Sequence, residues 1–287
     1  QEPATFEKIR TRYFRLLADD NIKKIFPRLA YNPAAGYYDL VLDVTRDKGL
    51  MTQFGGNFAS RPINQAFIGA QYNFWGRRSV SISANTYYGK LYSSGQVKVR
   101  TDLPGSIPFF IEPEVTVNSW DFFKSSSTFF EDVRPSYLVQ SDQNYALNFG
   151  MPARNKGKLV AGGALVRLKD DYYQTKQFLS TDTADRTNFN GYSAYFTFER
   201  NTLNRKLYAN AGTFFNIHAR ITDGNEYSIP GSTAIDTAES FQRHQWWQVK
   251  LVYDNYFRQK GRVKFGFYSE AVCSNQPFFK KRPGPHL

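Results

Sequence analysis

From Gly49 onward the chain passes through about ten segments in which every second residue is apolar or aromatic and the residues between are mostly Ser, Asn, Gln or Lys. Ala66, Ile68, Ala70, Tyr72 and Phe74 form one face of such a segment, against Phe67, Gly69, Gln71 and Asn73. Val80, Ile82, Ala84, Thr86 and Tyr88 alternate with Ser79, Ser81, Ser83 and Asn85. The longest run sets Leu207, Ala209, Ala211, Thr213, Phe215, Ile217, Ala219 and Ile221 against Tyr208, Asn210, Gly212, Phe214, Asn216, His218 and Arg220. The last places Trp247, Val249, Leu251 and Tyr253 around Gln248 and Lys250. Period two is the period of a strand, because a helix would scatter both sets around its circumference. A run of 15 residues exceeds the ~5–6 of an ordinary strand. It suits a tilted strand that crosses a bilayer in ~9–11 residues and projects beyond it. The pattern predicts a mainly-β chain, an antiparallel transmembrane β-barrel with eleven or twelve strands present.

Composition agrees with a barrel. Aromatic content is 17%, with 26 Phe and 19 Tyr, yet mean hydropathy is only −0.53, and no stretch reaches the ~18 apolar residues of a membrane helix. Tyr87-Tyr88, Trp120 to Phe123, Phe129-Phe130, Tyr172-Tyr173 and Trp246-Trp247 fall near segment ends, where amphipathic rings would meet lipid headgroups. A water-soluble β-sandwich alternates in the same way and stays open at this point.

A chain of 287 residues holds one barrel or two modest domains. Its net charge of +12 is concentrated late: from Arg243 to the end, nine Lys/Arg stand against Asp254 and Glu270. Basic, aromatic-rich sequence can bind nucleic acid. Here the charges alternate with apolar residues, as in Arg262 and Lys264 beside Val263 and Phe265, so they read as lumen-facing or headgroup-facing groups and no nucleic-acid partner is expected. One cysteine, Cys273, excludes an internal disulfide, and His218, His244 and His286 have no ligand spacing. No metal or cofactor is expected. Residues 1–6 carry no basic and apolar leader, so the chain reads as mature or as cut from a longer polypeptide.

The first 48 residues differ from the rest. Phe6, Ile9, Tyr13, Leu16 and Leu17 fall at helical spacing, and Asp19 and Asp20 can cap a second helix over 21–26 that stops at Pro27. Strands over 28–31 and 37–45 follow, joined by the turn Asn32-Pro33-Ala34-Ala35-Gly36. These are part of a small α/β module. Tyr13-Phe14-Arg15-Leu16-Leu17, Ile25-Phe26-Pro27-Arg28-Leu29-Ala30-Tyr31-Asn32 and Gly36-Tyr37-Tyr38-Asp39-Leu40-Val41-Leu42-Asp43-Val44 resemble the last polypeptide-transport-associated (POTRA) repeat of certain Gram-negative proteins. Those proteins join a patatin-like phospholipase, one such repeat and a barrel of the bacterial surface-antigen superfamily. The resemblance runs on through Phe54-Gly55-Gly56-Asn57-Phe58-Ala59-Ser60, Ala70-Gln71-Tyr72-Asn73-Phe74, Tyr88-Gly89-Lys90 and Arg100-Thr101-Asp102-Leu103-Pro104.

The resemblance implies a partial periplasmic POTRA module over 1–48, an incomplete outer-membrane barrel over 49–279 and a non-native or truncated tail over 280–287. Barrels of this kind close with about sixteen strands, since an open edge in lipid leaves backbone groups unpaired. It also implies that the barrel anchors or translocates a fused lipase, with outer-membrane lipid, a passenger polypeptide and the barrel-assembly machinery as partners. The edge strand with Tyr37, Tyr38, Leu40, Leu42 and Val44 would contact polypeptide by strand addition, and Phe54, Gly55, Gly56 and Phe58 would form the first-strand seam. A patatin-like lipase needs Gly-x-Ser-x-Gly with an Asp-Gly aspartate. No Gly-x-Ser-x-Gly occurs in this sequence, and the single Asp-Gly, Asp223-Gly224, sits in the polar stretch 222–228 and reads as a turn. No catalytic residue is assigned to this chain. A small-solute porin and a soluble β-rich binding domain are the rival functions.

Smaller constellations add little. Glu112 and Glu114 share a face around Pro113 and read as lumen charges rather than an acid/base pair. Asp170-Asp171-Tyr172-Tyr173 and residues 180–190, with Asp182, Asp185 and Arg186, read as a long extracellular loop without calcium-loop spacing. Gly162-Gly163 and Gly55-Gly56 read as places where the wall bends.

Overall fold

The computed structural model describes residues 9, 22–34, 36–46, 49–58, 64–76, 78–105, 107–125, 137–153, 157–175, 177–203, 209–258 and 265–277. Contacts divide the chain into two units, Gln1–Met51 and Thr52–Leu287. The helix expected early in the chain and the tail over 280–287 lie outside the described residues, apart from Ile9, which is helical. Arg262 and Lys264 lie outside them as well.

In the first unit two strands, β1 (Ile22–Asn32) and β2 (Tyr37–Arg46), form an antiparallel hairpin in the register Pro27↔Leu42 and Tyr31↔Tyr38. The helix expected over 21–26 is absent: residues 22–26 extend β1. Pairing along β2 overrides weak local helix capping, because Ile25 and Phe26 find strand partners in Val44 and Asp43. The turn is as expected. Asn32 O accepts from Gly36 N at 2.9 Å and Asn32 Oδ1 from Ala34 N at 3.2 Å, while Gly36 takes φ +71°, open to glycine without strain.

Eleven strands follow in one antiparallel sheet, each hydrogen-bonded to its chain neighbours. They are β3 (Leu50–Asn57), β4 (Gln65–Trp75), β5 (Ser79–Gly89), β6 (Tyr92–Leu103), β7 (Phe109–Asp121), β8 (Leu138–Ala153), β9 (Gly157–Tyr172), β10 (Asp185–Asn201), β11 (Gly212–Ile229), β12 (Ser240–Arg258) and β13 (Phe265–Ser274). One 3-10 turn, Phe122–Ser125, is the only helical element in this unit's described residues. The meander is the up-and-down order of a barrel wall, not the Greek key of a sandwich. Strands β8–β12 run 16 to 19 residues.

Two expected boundaries shift. The long run 207–221 begins as a strand only at Gly212 and continues to Ile229. Asp223-Gly224 is therefore mid-strand, with Gly224 opposite Gly191 and His244. Residues 180–184 are loop as expected, but 185–190 open β10, and Asp170 to Tyr172 close β9. The polar residues that suggest loops are the upper parts of strands that have left the apolar layer.

The sheet is inside out relative to a soluble protein. Register rows assign Ile68, Tyr72, Ile82, Val97, Val115, Leu147, Phe149, Leu165, Phe196, Ile221 and Trp247 to one wall, where all are exposed. The opposite wall holds Asn73, Asn148, Asp170, Thr187, Ser193, Glu226, Ser228 and His244, all buried. Fully burying one such aliphatic side chain contributes about 1.5–3 kcal/mol, and a wall of them left in water would forgo, in sum, more than the ~5–15 kcal/mol net stability of a folded domain. Hydrocarbon is the solvent that fits this wall.

Adjacent aromatics cannot both face it. Tyr172 and Trp246 are buried on the inner wall, and Trp120 packs there against Tyr92 at 4.8 Å. Trp246-Trp247 lies within β12 rather than at its end. Rings facing outward at the edge of the apolar layer include Tyr88, Tyr145, Tyr192 and Trp247.

Candidate functional site

Three surfaces carry chemistry: the free edges of the strands, the inner wall, and the upper part of the outer wall.

Among the described residues β2 pairs only with β1. Its pairing with a proline fixes which way its backbone points. Pro27 has no N–H, and it stands opposite Leu42; a proline fits an antiparallel ladder where the paired residues turn their backbone groups away from each other. Leu42 then directs its N–H and C=O to the free edge, and Tyr38, Leu40 and Val44 do so by alternation. These are the expected contact residues; Tyr38, Leu40 and Val44 are exposed and Leu42 is half-buried. Tyr37, also exposed, is the alternate residue and faces β1 with its backbone. At the other expected site, Phe54, Gly55, Gly56 and Phe58 belong to or adjoin β3, the terminal strand of the described sheet, and all are exposed.

The inner wall is a continuous hydrogen-bonded lining. Gln71 donates to Asn73 and Ser81, Gln96 donates to Glu114 at 2.7 Å, and Lys98 lies 3.6 Å from the same carboxylate. Glu114 is thereby a structural acceptor, in keeping with a lumen charge. Across one row, Tyr195 Oη donates to Asn148 Oδ1 at 2.6 Å, passing over Gly162. A Cβ on Gly162 would lie 2.6 Å from the Tyr195 ring and 2.7 Å from Asn148 Oδ1, whereas one on Gly163 meets nothing closer than 3.6 Å. Only the inward glycine of that pair is required by space.

Higher on the same wall, Tyr172, Thr187, Ser228, Glu226 and His244 form a buried chain. Tyr172 Oη and Thr187 Oγ1 are 3.3 Å apart, Thr187 Oγ1 and Ser228 Oγ 3.0 Å, and Glu226 Oε2 and His244 Nε2 2.5 Å. Burial pushes the Tyr172 phenol above its ordinary value. Ser, His and Glu here are not in the order of a catalytic triad: Glu226 lies between the serine and the histidine, Ser228 Oγ donating to Glu226 Oε1 at 3.5 Å and His244 meeting Glu226 Oε2. Sequence reasoning misses this chain because it takes 222–228 for a turn; the signal is the unbroken alternation of Thr222, Gly224, Glu226 and Ser228.

The acidic residues expected in an extracellular loop brace it. Asp182 accepts from Leu179 N at 2.7 Å and from Ser232 Oγ at 2.9 Å, and Asp185 Oδ1 accepts from Gly231 N. Connections 173–184 and 230–239 are thus tied together. No group of three or more possible metal ligands occurs among the described residues. Beside them Tyr173 and Phe178 stack at 4.2 Å, with Tyr137 at 4.8 Å from Tyr173, and burial raises the Tyr137 phenol.

On the outer wall the row Tyr145, Leu165, Tyr192, Asp223 and Gln245 is followed by Gln143, Arg167, Asn190, Asn225 and Arg243. Arg243 donates from Nε and Nη2 to Asp223 at 3.0 and 2.7 Å. Asp223, expected in a turn, is thus a strand residue that holds an arginine on the outer wall.

No protein-family profile and no curated protein matches the sequence. Among solved structures, the chain is similar to the crystal structure of BamA from Haemophilus ducreyi lacking POTRA domains 1–3, at 13% identity and a TM-score of 0.55. The match covers 96% of this chain and 51% of that one, so the chain spans about half the length of the structure it matches. The likeness shows the fold, an antiparallel β-barrel of the BamA type.

Proposed function

We propose that this chain is an outer-membrane β-barrel region whose N-terminal hairpin stands in the periplasm and hands a passenger polypeptide to the barrel. The observation that carries the membrane reading is the wall of exposed apolar side chains backed by a buried polar lining, the arrangement a barrel needs in lipid. Orientation follows from the connections. One end of the described barrel strands bears the connections 58–64, 90–91, 122–137, 173–184 and 230–239, among them the two longest, and the other bears 76–78, 104–108, 154–156, 202–211 and 259–264, three of them of five residues or fewer. Short turns suit the periplasm and long loops the outside, which leaves the start of β3 at the periplasmic end. Insertion would use the barrel-assembly machinery. The passenger favoured by the sequence resemblance is a patatin-like phospholipase domain of the same polypeptide, with no catalytic residue in this chain.

A reporter domain joined ahead of Gln1 tests this in Gram-negative cells. The chain should fractionate with the outer membrane in heat-modifiable form, and the reporter should become accessible to added protease. Leu42→Pro removes an N–H from the free edge of β2 while sparing the β1 ladder; reporter exposure should fall with membrane fractionation intact. Unchanged exposure would remove the strand-addition step. A chain that remains in the soluble fraction would remove the membrane reading. Bilayer conductance that persists without residues 1–48 would favour the small-solute porin.

A further inference from the structure

On the outer wall, where β9 to β12 leave the apolar layer, lies a groove of about 720 Å³. Its lower side is apolar: Leu165 and Tyr192 are 59% and 58% exposed. Two residues further along the strands the same face turns to Arg167, Asn190, Asn225 and Arg243, which line the upper side. The groove's floor is bare backbone. Gly191 pairs with Gly224, and a Cβ on Gly224 would fall 2.4 Å from the Phe189 ring, which is itself 1% exposed on the inner side. Both glycines belong to the inward-facing set of their strands, so the crowding against Phe189 lies on the lumen side, and the groove's floor is the backbone between the two outward rows.

We infer that this groove holds the phosphorylated headgroup of an acylated lipid in the outer leaflet, with Arg167 and Arg243 as the phosphate ligands and Leu165 and Tyr192 against the acyl chains. Position, charge and donor geometry all support this occupant. Asp223 fixes the Arg243 guanidinium through Nε and Nη2, with the Tyr192 hydroxyl beside it, while the side chain stays 68% exposed. Arg167 makes no hydrogen bond or ion pair with a described residue. Its guanidinium can fork onto phosphate oxygens, the geometry arginine is suited to. Arg167 and Asn190 also border a second hollow of about 200 Å³ that reaches Lys169. That hollow gives a headgroup larger than a bare phosphate somewhere to extend. Lys169 and Arg186 lie 2.9 and 2.7 Å from Asp171 in the rows above, so this part of the wall carries four cations and two carboxylates.

The inference rests on the outer-membrane orientation proposed above, and the test separates the two. Full-length chain refolded in detergent is titrated with bis-phosphorylated lipid A, with the same lipid dephosphorylated, and with inorganic phosphate, and bound species are counted by native mass spectrometry. One lipid A should be retained, its dephosphorylated form about tenfold or more weakly, as loss of a charge-assisted hydrogen bond implies, and inorganic phosphate not at all. The R167A/R243A variant should lose lipid A retention by a similar factor, and Arg200→Ala, on the same outer wall beyond the apolar layer at its other end, should not. Heat-modifiable mobility confirms that the variants fold. Equal retention by R167A/R243A overturns the inference, as does retention of inorganic phosphate alone or a second copy of the chain in place of lipid. A chain that folds into vesicles but ignores lipid A leaves the membrane reading standing and ends this one; a chain that stays soluble ends both.

Discussion

Below the row of Tyr145, Leu165 and Tyr192, strands β8–β12 present hydrocarbon outward and polar groups inward; above it the same strands present Arg167, Asn190, Asn225 and Arg243 outward while the inner wall keeps its character. The backbone does not change at that row, nor does the period. What changes is the solvent the outer face is made for. About nine residues per strand suffice for the bilayer, and the remainder of each 16–19-residue strand is a polar extension whose inner side is stapled by buried hydrogen bonds. The shorter strands β4–β7 place their apolar residues differently along the rows. Tyr88 lies outward one row beyond Thr86, whereas the corresponding positions of β9 are Lys169 and Arg167. A band that steps along the rows from one strand to the next is how a level membrane meets tilted strands.

The contrast can be broken most forcefully on β11. Ala219→Arg places a charge at the middle of the apolar band and should cost about 2–4 kcal/mol of folding stability in vesicles, while Asn225→Arg, on the same face above the band, should cost almost nothing. Denaturant titration in lipid vesicles measures both, and equal effects would dissolve the boundary. Inside the extension, His244→Ala leaves Glu226, 2% exposed, without its 2.5 Å partner. About 1–3 kcal/mol should be lost, and a neutral result in the same titration would mean water reaches that carboxylate. Within the membrane-level wall, Gly162→Val should cost about 1–3 kcal/mol through overpacking against Tyr195 and Gly163→Val should be silent. The smallest effect expected is Tyr195→Phe, about 0.5–1.5 kcal/mol from the lost bond to Asn148; combined with Gly162→Val it should add little, because the valine has already displaced the phenol.

Much of this wall is legible in the amino-acid pattern. Val80 to Tyr88 and Ala66 to Phe74 read correctly because bilayer and lumen each enforce one face, so the alternation is clean. Legibility ends where the outer face ceases to be apolar. Residues 185–190 and 222–228 resemble loops as long as hydrophobicity is the mark of a strand, although Thr187, Phe189, Glu226 and Ser228 keep perfect period two. At the other extreme, the capping pair Asp19-Asp20 suggests a helix that residues 22–26 do not form, since the partner strand lies fifteen or more residues away and local signals do not contain it. Of the candidate site residues, the β2 face is visible as Tyr38, Leu40, Leu42 and Val44. The outer groove is not, for it depends on which residues of four different strands fall side by side.

Pro27 has one more effect. Opposite Leu42, it deprives the outer side of β1 of a donor just where the outer side of β2 keeps its own. The hairpin is thus a ribbon with one sealed margin and one receptive margin. A guest strand can join at β2, but two such hairpins cannot propagate an endless ladder by adding at both sides. That asymmetry lets the hairpin accept one strand at a single margin without seeding a fibril.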